Sequence, residues 1–432
     1  MKTSNNTVAF FTLGCKLNYA ESSTLARQFA ALGYQRVQNP QEASVCVINS
    51  CAVTRQAEKK CRQLIKKIIL QAPSAFIIVT GCFAQLQQQQ IASIQGVHLV
   101  IGTGEKFDIP AYIEQYQQAT TSICHTEQEK LTSFYAAYSS DDRSRSFLKV
   151  QDGCDYHCAY CTIPHARGNS RNDPIKEIVA VAREIEKKKI GEIVITGVNI
   201  GDFGRTSGET FLDLLQALVQ DTAVPRFRIS SIEPNLLNDK IIDFVASTER
   251  IAHHFHIPLQ AGSDYVLQAM RRRYSVACFV ERVAAIKTAM PHACIGADVI
   301  VGFPGENDAH FRESYALLES LDISYLHVFP FSPRQHTPAA SFSAQVDGKT
   351  KNVRSKQLIE LSTRKKRLFY EHNIGRKEQV VFETRRKNNT FEGFTGNYIK
   401  VMTDAGNIQT GKLTEVRLLS VMPGGNVKVE II

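Results

Sequence analysis

The feature that most constrains this fold is a unit repeated three times in the first 105 residues, an apolar run followed by a short turn and a cysteine. The runs at 8–11, 45–48 and 76–79 have the length and composition of buried parallel strands, and helical stretches at 20–32 and 55–69 separate them. Strands alternating with helices in this way predict a doubly wound α/β domain. The turns read Thr12-Leu13-Gly14-Cys15, Asn49-Ser50-Cys51 and Thr80-Gly81-Cys82. Parallel strands end on one edge of their sheet, so these three thiols are expected to converge where α/β sheets bind ligands, close enough to share a metal site. The plainer alternative is three unrelated buried cysteines, but a loop position after glycine is an odd place for a core residue.

At 432 residues the chain has the length of about three domains. With 43% apolar and 22% charged residues it is neither disordered nor collagenous. No apolar run approaches the roughly 20 residues that cross a bilayer, and MKTSNNTVAFFTLGC has too short an apolar stretch for a signal peptide. A cytoplasmic location is therefore expected, and a reducing compartment leaves the eleven cysteines without a disulfide role. Five of them, Cys46, Cys61, Cys124, Cys278 and Cys294, follow no pattern and read as buried small hydrophobes.

Residues 106–146 are polar and weakly patterned, and SSDDRSRS at 139–146 resembles a linker or flexible arm. A second series of strand-like runs follows near 147–150, 193–196, 227–232, 255–259, 295–302 and 325–329, separated by amphipathic helices. The first of these helices is expected to have Asp173 as N-cap and Pro174 at its first position. Six such units are too few for an eight-stranded barrel, so an open, partial (β/α)6 barrel is predicted, working at the carboxyl ends of its strands. From about residue 375 the chain turns to short strands without helices, EQVVFET, FEGFTGNYIKV, LTEVRLLSV and NVKVEII, which suggests a small all-β barrel of the size that binds oligonucleotides. The basic helix KQLIELSTRKKRLFYEHN leads into it. Net charge is +9, and residues 349–390 hold 13 Lys and Arg against four Glu, so this stretch carries the entire excess. Such a local excess reads as a polyanion footprint.

The sharpest chemical signal is Cys154-x3-Cys158-x2-Cys161, directly after the first barrel strand. Three thiolates on one tight loop can hold three irons of a 4Fe-4S cluster and leave the fourth iron open to a ligand. Zinc is the competing reading, because His165 completes a Cys-x3-Cys-x2-Cys-x3-His set.

This loop, with Tyr160 before its last cysteine, resembles the radical S-adenosylmethionine superfamily. The resemblance implies that the open iron chelates the methionyl group of S-adenosylmethionine, whose reductive cleavage yields a 5'-deoxyadenosyl radical. Tyr160, Gly197 and Glu233 are the implied cofactor contacts, with GFPGE at 302–306 nearby. Over the whole chain the resemblance narrows to the methylthiotransferases, through HIPLQAGSDYVLQAMRRRYS at 256–275 and DVIVGFPGE at 298–306. It implies an N-terminal domain over 1–138 holding a second 4Fe-4S cluster on Cys15, Cys51 and Cys82, a radical barrel over 139–370, and a TRAM-like barrel over 371–432. TLGCKLNYAES at 12–22 is similar to the branch acting on N6-threonylcarbamoyladenosine beside the tRNA anticodon. The isopentenyladenosine branch and the branch modifying a ribosomal-protein aspartate are the alternatives. A non-enzymatic, zinc-stapled RNA-binding protein is the alternative of another class.

A tRNA anticodon arm needs a cationic track, expected on Arg364, Lys365, Lys366, Arg367, Arg376, Lys377, Arg385, Arg386 and Lys387, with Phe391, Phe394 and Tyr398 free to stack on bases. The competing reading makes the charges a solvated helix face and the aromatics barrel core. Other expected partners are an electron donor such as flavodoxin or ferredoxin, with the chain a monomer. Which of Glu233, Gln260 and Arg334 touches substrate stays open at this level.

Overall fold

The computed structural model describes residues 6–115, 122–124, 126–127, 130–140, 144–385, 390–404, 406 and 408–432. Its first unit is an all-parallel sheet of β1 (Thr7–Thr12), β2 (Gln35–Arg36), β3 (Val45–Ser50), β4 (Phe76–Gly81), β5 (Leu99–Ile101) and β6 (Ser122–Cys124), in the order β2-β1-β3-β4-β5-β6. Both faces are covered, which is why the strands read as continuous apolar runs. Helix Lys16–Ala31 packs Leu25 and Phe29 on one face, and helix Arg55–Gln71 packs Ile65 and Ile68 on the other. From β1 the chain goes to β2 on one side and then to β3 on the other, so the strand order reverses at β1 and a crevice opens at the carboxyl ends of β1 and β3.

Part of the expected linker is folded. It supplies helix Ile109–Gln115, the edge strand β6, and β7 (Ala137–Tyr138), which pairs antiparallel with β8 (Ser146–Lys149). Ser140 is buried rather than loose, because its backbone N–H and carbonyl bond the Ser23 hydroxyl at 3.0 and 3.2 Å and its hydroxyl accepts from Arg27 at 2.9 Å. The segment's apolar residues, Leu131, Phe134, Tyr135, Ala137 and Tyr138, pack into the flanking cores without a regular period, which concealed it.

β8, β9 (Glu192–Thr196) and β10 (Arg226–Ile229) form one parallel group, and β11 (His254–His256), β12 (Cys294–Val301) and β13 (Tyr325–Pro330) form another. Parallel bridges Phe227–Ile251 and Ser231–His256 join the two groups into an open barrel of six parallel strands. Alternation then sorts the side chains. Leu148, Ile193, Ile195, Phe227, Phe255, Ile295 and Val299 pack outward in one core with the helices, leaving Lys149, Glu192, Arg226, Arg228, His254, His256 and Asp298 facing a polar lumen. The first of the barrel helices spans Ile175–Glu186, and Pro174 with ψ 151° occupies its cap, so Asp173 lies one residue outside and caps nothing.

Helix Gly348–Glu371 starts where Asp347 accepts the Thr350 N–H, and it is fastened to β13 by Ser362, whose hydroxyl accepts from Leu326 N–H at 2.8 Å. Then β14 (Lys377–Arg385), β15 (Phe391–Thr395), β16 (Lys400–Thr403), β17 (Leu413–Val421) and β18 (Val427–Ile431) close a barrel in the order β14-β15-β16-β18-β17. The run expected as one strand, FEGFTGNYIKV, is two strands joined by a turn at Tyr398, where φ is +63°. This barrel seals the floor of the larger one. Arg226 donates to the carbonyls of Gln379 (2.8 Å) and Phe394 (3.2 Å), Arg228 to those of Thr395 (2.8 Å) and Gly396 (2.9 Å), and Glu192 sits between the two guanidiniums.

Candidate active site

The sheet register delivers the first cysteine trio. Thr12 pairs with Asn49 and Ser50 with Gly81, so Cys15, Cys51 and Cys82 all leave their strands at one edge. Two glycines make the approach possible. A Cβ on Gly14 would lie 3.0 Å from Cys51 Sγ, and one on Gly81, at φ +97°, would lie 2.4 Å from the Ser50 carbonyl. Asn18 ties the loops, its amide donating to the carbonyls of Leu13 (2.7 Å) and Ser50 (3.1 Å) and its oxygen facing Cys15 Sγ at 3.9 Å. Burial raises the Cys15 thiol, against the pull of Arg167 and with a push from Cys82; burial, then Cys82, lifts Cys51 to about 12. The three groups therefore sense one another electrostatically.

The second trio sits on the loop after β8. Its sulfurs are already met by donors: Tyr156 N–H to Cys154 Sγ (3.4 Å), Ile163 N–H to Cys161 Sγ (3.4 Å) and Arg272 Nη1 to Cys158 Sγ (2.9 Å). Arg272 also donates to Tyr160 Oη at 3.4 Å and forms an ion pair with Glu233. Tyr160 is held edge-on to Phe303, and Gly197 lies against Gln151, whose amide oxygen accepts from Val198 and Asn199 N–H. In the GFPGE turn, Glu306 accepts from Gly302 N–H, where φ is +69°, and faces Arg354.

A tetrahedral zinc with Zn–S near 2.3 Å would hold its sulfurs about 3.8 Å apart. Among the described residues the single group that brings three ligand atoms within 4.8 Å of one another is His256, Asp298 and His327 in the lumen, so neither cysteine trio is that compact and His165 does not complete one. Wider spacing, three thiols per site and N–H donors already aimed at sulfur suit a 4Fe-4S cluster, whose thiolates sit on separate irons.

Between the trios lies a fully buried charge network. Arg167, six residues beyond Cys161, donates to Glu21 (2.9 and 3.2 Å), Asp152 (3.0 Å) and Asn18 (2.9 Å). Lys106 bonds Glu21 at 2.5 Å, and Lys149 reaches Glu21 at 3.3 Å and Asp152 at 3.1 Å. Burial opposes ionisation of Glu21 and Asp152, but Arg167 and the lysines outweigh it and hold both carboxyls well below their usual range. One guanidinium thus connects the loop of the second trio to the asparagine that positions the first. Neither Arg167 nor Arg272 was singled out by sequence; the run Arg271-Arg272-Arg273 inside the 256–275 motif was the available signal for the latter.

Cys15 and Lys16 are both open to solvent at the start of helix Lys16–Ala31, and Lys16 lies in the field of Arg145, Arg228 and Glu192. The ammonium of Lys16 is lowered to about 8 by burial and by Arg145 and Arg228.

The expected RNA track fares unevenly. Arg364 pairs with Glu319 (3.2 Å), Arg367 with Glu371 (2.8 Å), Lys365 donates to the carbonyls of Glu319 and Leu321, and Lys366 lies over the Tyr370 ring. Arg376 faces Glu378 at 3.5 Å and Lys377 faces Glu415 at 3.9 Å. Arg385 ends β14, and its side chain, with Arg386 and Lys387, lies outside the described residues. The aromatics are not free for bases. Phe391 fills the small barrel's core, Phe394 stacks on Tyr398 (4.8 Å), and Tyr398 stacks on His254 (4.2 Å). Phe394, three residues beyond Phe391 and so on the opposite face of β15, packs at the joint between barrels under Arg145. Of the remaining candidates, Arg334 forms an ion pair with Glu58 of the N-terminal unit, and Gln260, at φ +66°, bonds β12 through its backbone.

An open six-stranded parallel barrel with a three-cysteine loop at the carboxyl end of its first strand is the radical S-adenosylmethionine architecture, and residues 148–318 match the Radical SAM superfamily. Residues 7–102 match the Uncharacterized protein family UPF0004. The threonylcarbamoyladenosine tRNA methylthiotransferases MtaB of Bacillus subtilis and Thermotoga maritima are 37% and 35% identical, over 96% and 97% of this chain and 94% and 96% of theirs. The tRNA-2-methylthio-N(6)-dimethylallyladenosine synthase of Wolinella succinogenes is 32% identical, over 94% of this chain and 95% of its own. The chain belongs to the methylthiotransferase family of radical S-adenosylmethionine enzymes. The fold is shared with the radical methyltransferase TsrM of Kitasatospora setae, at a TM-score of 0.58 and 12% identity over 78% of this chain and 77% of that one.

Proposed function

We propose that this chain methylthiolates C2 of N6-threonylcarbamoyladenosine beside the tRNA anticodon, using S-adenosylmethionine and two 4Fe-4S clusters. The observation that carries this reading is the pairing of two cysteine trios across one buried guanidinium, in a chain similar along its full length to relatives named for that reaction. Cys154, Cys158 and Cys161 would hold one cluster and Cys15, Cys51 and Cys82 the other. When bound, these groups supply a 5'-deoxyadenosyl radical and a transferable sulfur. The protein's own part is positioning. Arg272 neutralises charge at Cys158 and fixes Glu233 and Tyr160 beside it, for contact with the cofactor's methionyl and adenine ends. Gly197 leaves room for the Gln151 cradle that orders Val198 and Asn199. Asn18 and Arg167 set the first trio against the second.

On the RNA side, Arg364, Lys365, Lys366 and Arg367 on the long helix and Arg385, Arg386 and Lys387 on the small barrel form the cationic surface for the anticodon arm. An electron donor of the flavodoxin or ferredoxin kind completes the system, with the chain acting as a monomer in the cytoplasm. Among the described residues no helix is long and apolar enough to cross a membrane. The test is anaerobic incubation of the iron-loaded chain with reductant, S-adenosylmethionine and tRNA bearing threonylcarbamoyladenosine, followed by mass spectrometry of the nucleosides. A gain of a methylthio group on that nucleoside is expected, and its absence with active cofactor cleavage would overturn the substrate.

A further inference from the structure

Beside the first trio, Lys16 carries a cation with nothing to bind. Among the described residues the ammonium of Lys16 has no hydrogen-bond or ion-pair partner; it is open to solvent, and the charges acting on it are Arg145, Arg228, Glu192 and Cys15. These belong to the lumen floor. Glu192 is already saturated there, accepting from Arg226 at 2.5 Å, from Arg228 at 2.9 and 3.0 Å and from Arg145 at 3.3 Å. Arg145 also pairs with Glu383 at 2.5 Å, yet its Nε is buried without a partner. Four cations, Lys16, Arg145, Arg226 and Arg228, therefore face two carboxylates, Glu192 and Glu383. Beside them His254 is buried, bonded through Nε2 to Tyr325 Oη at 3.0 Å, with its Nδ1 unpartnered. Unfilled donors on Lys16, Arg145 and His254, in a net positive region that a solute can reach, make a site for an anion.

We infer that Lys16, backed by the Arg145–Arg228 floor, is the binding pocket for a carboxylate on the N6 substituent of the substrate base, and so selects the base by its charge. The inference rests on the function proposed above. Position supports it, because Lys16 is the neighbour of Cys15, one Cα step of about 3.8 Å away. A base that turns its C2 edge to the sulfur source at Cys15 brings a substituent on N6, two ring bonds along, within reach of that side chain. A threonylcarbamoyl group ends in a carboxylate and a dimethylallyl group does not, so one lysine distinguishes them by pairing with the first and leaving its own charge unpaired against the second.

The test uses the full chain and three anticodon stem-loop RNAs, with threonylcarbamoyladenosine, with its carboxylate methyl ester, and with unmodified adenosine, measured by equilibrium binding and by turnover. The wild type should bind the acid roughly ten- to a hundredfold more tightly than the ester, the range of a charge-assisted hydrogen bond. Lys16→Met should erase that preference, and Lys16→Arg should restore most of it. A Lys16→Met protein that still prefers the acid overturns the inference, as does a wild type that turns over the acid but binds the ester equally well. Weakened S-adenosylmethionine affinity with the RNA preference intact would assign Lys16 to the cofactor's own carboxylate and overturn it too. A wild type that makes no product from the acid RNA refutes the function rather than the pocket.

Discussion

Replacing Arg167 by Met tests whether the two trios are held by one buried guanidinium. The side chain makes four hydrogen bonds, two to Glu21 and one each to Asp152 and Asn18. Methionine fills much of the volume but leaves two buried carboxylates facing the two lysines, with Arg171 at 3.7 Å as the remaining guanidinium. Removing one partner from a buried charge network costs about 3–5 kcal/mol. Because the chain is multidomain, a single unfolding free energy is ill-defined. Hydrogen exchange of the amides in helix Lys16–Ala31 and in β8 is the better assay, and protection there should fall by about two to four orders of magnitude. Amides in the small C-terminal barrel should be unaffected. The same region should open in acid: Glu21 and Asp152 titrate below their unfolded values of about 4, so the stability they contribute is present above that pH and drains as pH falls. Unchanged protection in Arg167→Met at neutral pH would refute the strut.

Other outcomes follow from the same geometry. Cys158→Ala should abolish deoxyadenosine formation while the N-terminal site still loads iron, and the triple Cys15, Cys51, Cys82→Ala variant should cleave cofactor without methylthiolation, its iron falling from about eight to about four per chain; unchanged iron in the triple variant would make those thiols structural. Arg272→Met leaves the half-buried Glu233 without its cation, so calorimetric affinity for S-adenosylmethionine should drop about tenfold or more, and wild-type affinity would remove Arg272 from the cofactor site. Replacing Arg385, Arg386 and Lys387 by Ala should flatten the slope of log tRNA affinity against log salt by about 2–3, an expectation that an unaltered slope contradicts.

The parallel strands, the six-fold barrel and the convergence of three distant cysteines were legible because each rests on a local rule, apolar runs of strand length and the common edge of parallel strands. Arg167 and Lys149 were not, since a buried charge reads in sequence like a surface one until its partner 128 or 146 residues away is brought beside it. The same blindness affected Phe394 and Tyr398. Aromatic residues in a small barrel look like a base-stacking platform, and only the docking of that barrel onto His254 and Arg145 shows that their faces are taken. Segment 130–140 was missed for another reason: Leu131, Phe134, Tyr135, Ala137 and Tyr138 are packed but follow no helix or strand period, and hydroxyls at Ser139 and Ser140 finish the docking.

The joint between the two barrels has a property that a side-chain interface lacks. Arg226 and Arg228 read the main-chain carbonyls of Gln379, Phe394, Thr395 and Gly396, which every residue type offers in the same place. Apart from Glu383, Phe394 and Tyr398, which meet Arg145 and His254, much of the small barrel's outer surface is thereby released from duty to the catalytic module. That surface can be rewritten for a different stem-loop, by evolution or by grafting, while the coupling to the barrel floor is kept by those carbonyls together with Glu383, Phe394 and Tyr398.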